Sequence, residues 1–300
     1  MPELPEVEAA RKKVESEALN RTVETVSVTP DGMTLEVSEG TLREALLGHR
    51  LTAARRHGKH LFIRSGEERH RWLRLHLGMT GEILVLKDDT GEDVTGQAQA
   101  AESDGDDEDD GGDEGDEDDE SPGQHDPEHD RLRLDFAGDR SLVFRCPRKL
   151  GEVGLVDSPE SFVEEKGLGP DLLSDDVDLR DFREVLDGRR GTIKSALMNQ
   201  EILAGLGNEY SDEALYQAEI HPDSAVTALS DDDVAELWRV IGRVLEKGIE
   251  ARSNGDPVPS SWLLRNREEG RECPRCGGTI RNDDIAGRSS YFCPDHQEKR

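Results

Sequence analysis

Four residues near the C-terminus carry the clearest chemistry: Cys273-Pro-Arg-Cys276 and Cys293-Pro-Asp-His296, a C-x2-C-x16-C-x2-H pattern. Two tight turns at this spacing present three thiolates and an imidazole tetrahedrally, which suits Zn²⁺. Four protein ligands leave no position for water, so one zinc with a structural role is expected. Between the half-sites, IRNDDIAGRSSYF reads as a β-hairpin with Gly287-Arg288 at its tip. The other end of the chain, MPELPEVEAA, poses a question: prolines at 2 and 5 and glutamates at 3, 6 and 8 crowd a terminus. A solvated tail or a helix entry accounts for most of this, since Pro and Glu both suit a first turn. Neither accounts for Pro2.

The stretch IKSALMNQEILAGLGNEYSDEALYQAEIHP (193–222) reads as an apolar-faced helix ending at Gly205 and Gly207, with a second helix starting at Asn208. Backbone N–H groups there, with the Asn208 amide, form a phosphate cradle at a helix N-terminus. Lys194 is placed to reach the same strand. A plain helical hairpin with a glycine cap fits the same pattern.

The elements that position these groups follow from periodicity. Residues 1–18 read as one helix, with Val7, Ala10 and Val14 on one face. From about 22 to 86, short alternating segments such as KHLFIRS and GEILVLK are β-like, and DRLRLDFAGDRSLVFRC adds two strands about AGDR. From about 159 the period becomes helical, with Ser or Asp caps, until the linker SNGDPVPSS. The expectation is an α+β chain in three parts. Residues 1–156 form a helix plus β-sandwich, 157–258 a helical domain and 259–300 a zinc-binding hairpin. Cys146 is left over and is expected to be a buried apolar residue.

A net charge of −30 argues against a nucleic-acid partner, but its distribution weakens that argument. Residues 88–130 hold 21 of the 68 acidic residues and none of the 38 basic ones. This insert, placed at a hairpin loop, lacks apolar residues to bury and is expected to be disordered and extended over 88–128. Only 9 of the basic residues are Lys, a composition like that of salt-accumulating halophiles. No run of about 18 apolar residues occurs, so a soluble cytoplasmic protein without a membrane partner is expected; a monomer is expected as well.

Taken in order, MPELPEVE, RRHGKHLF, HLGMTG, CPRKLG, the 193–222 stretch and the finger ending CPDHQ resemble the formamidopyrimidine-DNA glycosylase (Fpg/Nei) family. PELPEVE resembles its formamidopyrimidine branch. The family's mark is a helix–two-turns–helix followed by a zinc finger. The resemblance implies damaged double-stranded DNA as partner and a bifunctional glycosylase/lyase of base excision repair acting on oxidised purines. The competing readings are the same chemistry on oxidised pyrimidines and a non-catalytic DNA-binding protein.

Met1 before a small residue is normally removed, which leaves Pro2 with a free secondary amine. Such an amine has a pKa near 8 against about 10.4 for Lys, so roughly a quarter is neutral at about pH 7.5. That is a usable nucleophile, and Pro2 with Glu3 argues against a mere binder. The resemblance further implies Glu3 as general acid/base, Glu6 as its support, Lys59 in β-elimination and Arg288 in δ-elimination and phosphate binding. His129, Arg148, Arg190, Lys194 and Asn208 match DNA contacts. Met79, Arg148 and Leu150 match the residues that fill the void left by an extruded nucleotide. The sequence departs from the family at Leu150, usually Phe, and at Lys149, usually Arg, which bears on opposite-base discrimination.

Overall fold

The computed structural model describes residues 1–29, 34–67, 71–87, 93 and 127–300. Helix α1 (Leu4–Glu17) is started by Glu6, whose carboxylate accepts from the Glu3 backbone N–H at 2.9 Å. Its apolar stripe is divided between two cores. Leu4 packs in the helical domain, whereas Val7, Ala10 and Val14 pack in the sandwich. The first turn is therefore pinned at the junction of the domains.

The sandwich joins two sheets. One runs β1 (Val23–Val28), β7 (Asp130–Phe136), β8 (Arg140–Arg145), β6 (Glu82–Lys87). The other runs β2 (Thr34–Leu35), β9 (Glu152–Val156), β5 (Arg71–His76), β4 (His60–Ser65), β3 (Leu51–His57). All pairs are antiparallel except β2 with β9. Val26, Leu134 and Leu142 of the first sheet share a core with Leu61, Leu73 and Val153 of the second. Each such side chain contributes roughly 1.5–3 kcal/mol on full burial.

Two expectations are corrected in this domain. A helix, α2 (Glu39–Leu46), interrupts the strands, capped by Ser38 and burying Leu42 and Leu46; Gly40 obscures its period. The acidic insert also does not sit in a hairpin loop. It joins β6 to β7, which flank β8 on opposite sides. The disorder expected for 88–128 lies outside the described residues, apart from Asp93 and 127–128. Asp93 Oδ2 lies 2.8 Å from Lys13 Nζ on α1.

The helical domain contains α3 (Pro159–Lys166), α4 (Leu179–Leu186), α5 (Ile193–Met198), α6 (Asn208–Gln217) and α7 (Asp231–Asn254). Helix α5 ends at Met198 rather than Gly205, and the chain turns twice before α6. The Gln200 side chain holds those turns, donating to the Leu206 carbonyl at 2.7 Å and accepting from Gly205 N–H at 3.0 Å. Helix α7 runs from the Ser230 cap to Gly255 and buries Leu237, Val240, Ile241, Val244 and Leu245 at helical spacing.

In the finger, β10 (Arg281–Ile285) pairs with β11 (Arg288–Phe292). Ala286 and Gly287 form the tip, with φ of 56° and 75°, as a type I′ turn requires. Arg288 therefore begins β11 rather than sharing the tip with Gly287. Among the described residues, no helix is long and apolar enough to cross a membrane.

Candidate active site and metal centre

Glu3 is fully buried, and three backbone N–H groups at the start of α6 converge on it. Gly207 donates to Oε2 at 2.6 Å, Tyr210 to Oε2 at 3.3 Å and Glu209 to Oε1 at 2.9 Å. A helix N-terminus favours an anion. Burial outweighs that preference and, against the pull of Lys59, raises the Glu3 carboxyl to about 7. The cradle expected for a phosphate is thus filled by Glu3. The Asn208 amide is also engaged, donating to the Ser289 carbonyl at 2.9 Å.

Lys59 follows Gly58 in the turn between β3 and β4. Burial lowers its amine below the ordinary value, opposed by Glu3. A Cβ on Gly207 would lie 2.5 Å from both Lys59 Nζ and the Glu3 carboxyl carbon, so only glycine lets the three approach. The turn is fixed from the helical domain. Arg56 donates to Asp171 at 2.5 and 2.8 Å and to Glu8 of α1 at 3.1 Å, and Gly58 N–H donates to Asp171 at 2.6 Å.

Glu6 accepts from Arg252 of α7 at 2.7 Å and from the Tyr210 hydroxyl at 3.2 Å. Beside it, Pro2 lines a cavity of about 310 Å³ with Ala9, Leu77, Gly81 and Arg252. Pro2 nitrogen is acylated by Met1, whose ammonium lies 3.1 Å from Glu209 and whose surface is 46% exposed.

Met79 and Leu150 are exposed on adjoining loops, at 43% and 54%. The loops interlock: Gly78, at φ 65°, lies where a Cβ would collide with the Leu150 carbonyl, and Arg148 N–H donates to Thr80 Oγ1 at 3.3 Å. Arg148, Arg190 and Arg288 are exposed, whereas His129 and Lys149 are half-buried. Lys194 is fully buried. Its ammonium donates to Asp212 at 2.6 Å, Ser290 Oγ at 2.5 Å and the Ser289 carbonyl at 3.3 Å. All three N–H donors of the ammonium are thus engaged within the chain.

The three thiols and the imidazole expected to bind metal have donor atoms within 4.8 Å of one another. All four cysteines of the chain are free and Cys146 is buried. Three soft sulfurs and one nitrogen in a closed set suit a structural zinc, with Cys273, Cys276, Cys293 and His296 as its ligands.

Residues 1–153 match the formamidopyrimidine-DNA glycosylase N-terminal domain and 168–258 the H2TH domain of the same enzymes. Residues 270–295 match the zinc finger found in FPG and IleRS. The chain is 31% identical to the formamidopyrimidine-DNA glycosylase of Heliobacterium modesticaldum, covering 99% of this chain and 100% of that one.

The chain belongs to the formamidopyrimidine-DNA glycosylase family.

Solved structures agree with this assignment. Lactococcus lactis Fpg in complex with DNA containing N7-benzyl-Fapy-dG matches at TM-score 0.75 and 28% identity, covering 99% and 100% of the two chains. The same enzyme bound to DNA with an AP site matches equally well. Formamidopyrimidine-DNA glycosylases are DNA-repair enzymes of base excision. Several residues that build this glycosylase site escaped sequence reasoning. Asp171, Arg252 and Tyr210 act on Arg56 and Glu6 from residues far along the chain, and no spacing marks them. Asp212 left one signal, an acid inside the apolar pattern of α6.

Proposed function

We propose that this chain is a bifunctional DNA glycosylase/AP lyase that excises oxidised purines through the amine of Pro2. After loss of Met1 the neutral nitrogen attacks the sugar C1′, and the glycosidic bond breaks as Glu3 gives its proton to the departing base. Displacement leaves C1′ bonded to both the Pro2 nitrogen and O4′. The nitrogen loses its proton, O4′ is protonated and the C1′–O4′ bond breaks, which opens the sugar. The resulting iminium has no N–H, so it cannot be neutralised by N-deprotonation and acidifies C2′–H. Loss of that proton expels the 3′ phosphate, and a second elimination expels the 5′ phosphate. Lys59 is the proposed base for the first elimination. Arg288 is assigned to the phosphates and the second elimination. Met79, Arg148 and Leu150 fill the vacated stack, and His129, Lys149 and Arg190 belong to the DNA-facing surface. Lys194 and Asn208, which hold the finger at Ser289, are assigned to the phosphates beside the lesion on rearrangement of those contacts.

The observation that carries this reading is that Glu3, the neighbour of Pro2 in the chain, meets Lys59 against Gly207 at the α6 N-terminus. A carboxyl raised to about 7 by burial beside a lysine of lowered basicity supports proton transfer at this point. Duplexes with a single 8-oxoguanine, resolved for base release and strand cleavage, test it. Both products are expected, with both phosphates left on the nicked ends. Release from an oxidised-pyrimidine duplex alone would overturn the substrate assignment.

A further inference from the structure

Helix α6 grips the finger at both ends. At its first residue, Asn208 donates to the Ser289 carbonyl at 2.9 Å. About 12 Å further along the axis, Tyr216 meets the metal ligands. Its hydroxyl lies 3.2 Å from Cys273 Sγ and its carbonyl 3.3 Å from His296 Nε2. The ring stacks edge-on against the His296 imidazole, with centroids 4.6 Å apart. Arg275, between the first two cysteines, also donates to the Tyr216 carbonyl at 3.2 Å, and Glu219 N–H does so at 3.3 Å.

The geometry decides the direction of each bond once the metal is bound. A ligating sulfur is a thiolate with no proton, so the Tyr216 hydroxyl must donate to it. His296 Nδ1 lies 3.5 Å from Cys273 Sγ, on the ligand side, while Nε2 faces α6. The ligating nitrogen is then Nδ1, and Nε2 keeps its proton and donates to Tyr216. We propose that Tyr216 is a positioning residue that couples the metal centre to α6 through both its hydroxyl and its carbonyl. Through α6, the metal fixes the distance from Arg288 to the Glu3 end of the same helix. This last consequence rests on the roles proposed above for Arg288 and Glu3; the coupling itself does not.

Outer hydrogen bonds to metal ligands typically change affinity 10–100-fold. The full chain carrying Co²⁺ in place of zinc, compared as wild type and Tyr216→Phe, reads the coupling directly. Losing a donor makes the sulfur electron-richer, so the sulfur-to-cobalt charge-transfer band is expected to move to lower energy. Metal retention against a chelator should fall about 10-fold, and amide exchange in β11 should quicken with the metal still bound. An unmoved band with retention within about twofold of wild type overturns the proposal. Should Tyr216→Phe fail to fold, nitrogen NMR of His296 in the zinc-loaded wild-type chain decides. Zinc on Nδ1 with a slowly exchanging Nε2–H is expected; zinc on Nε2 refutes the arrangement. Neither reading uses DNA, so failure here leaves the proposed reaction separately testable.

Discussion

Burial raises Glu3 to about 7, while a chain-terminal amine titrates near 8, so the two groups change charge within about one pH unit of each other. Base release needs the amine neutral and the acid protonated. A requirement of that kind gives a bell-shaped kcat/KM profile centred between about pH 7 and 8. In Glu3→Gln only the amine requirement remains, so the rate should rise with pH to a plateau, about 10²–10⁴-fold below wild type. A bell that survives in Glu3→Gln would show that another group supplies the proton. The same shift sets a stability effect. The folded carboxyl holds its proton above the unfolded value of 4.5, so stability from this group is complete below that pH. It is lost as pH rises through about 7, by roughly 3 kcal/mol. Urea titrations at pH 5.5 and 8 should therefore differ less in Glu3→Gln than in wild type.

At the scale of elements, the site depends on contacts between pieces of chain that share no local pattern. The β3–β4 turn carries Lys59, and Asp171 holds that turn through the buried Arg56 guanidinium, with side chains 8% and 6% exposed. Asp171→Ala leaves the guanidinium without this partner, and such truncations cost about 3–5 kcal/mol. The expected result is a matching loss in denaturant stability together with slowed strand cleavage; unchanged cleavage would show that Lys59 needs no such support. The sequence made the elements themselves readable wherever an apolar period or a cap was local: α1, α7, the β7–β8 hairpin and the start of α6. The metal ligands were readable because each half-site is a tight turn. The filling of the α6 N-terminus by Glu3 was not, because the partner amides lie 206 and 207 residues away. The burial of Lys194 was unreadable for the same reason, its partner Asp212 standing 18 residues on and Ser290 96 residues away.

For the whole molecule, a net charge of −30 must coexist with binding a polyanion. Phosphate contacts weaken steeply with salt, so at high salt wedge packing and fixed hydrogen bonds would carry recognition. We propose that the acidic segment acts as a solubiliser and takes no part in excision. Deleting 88–128 should then strengthen nonspecific DNA binding at low salt, in part by releasing Lys13 from Asp93, while excision stays within about twofold of wild type. Loss of excision would show that the segment serves the site. The division of α1 between two cores has a wider consequence: it plants the chain terminus beside Glu3, Lys59 and the cavity, where an amine can meet a sugar. That placement is the centre of the account, and one measurement tests it. The native chain is reacted with 8-oxoguanine DNA, reduced with borohydride, and the trapped adduct is digested and sequenced by mass spectrometry. A single cross-link is expected, on the nitrogen of Pro2, in a peptide that lacks Met1. A cross-link on Lys59, or full activity in protein that retains Met1, would contradict it.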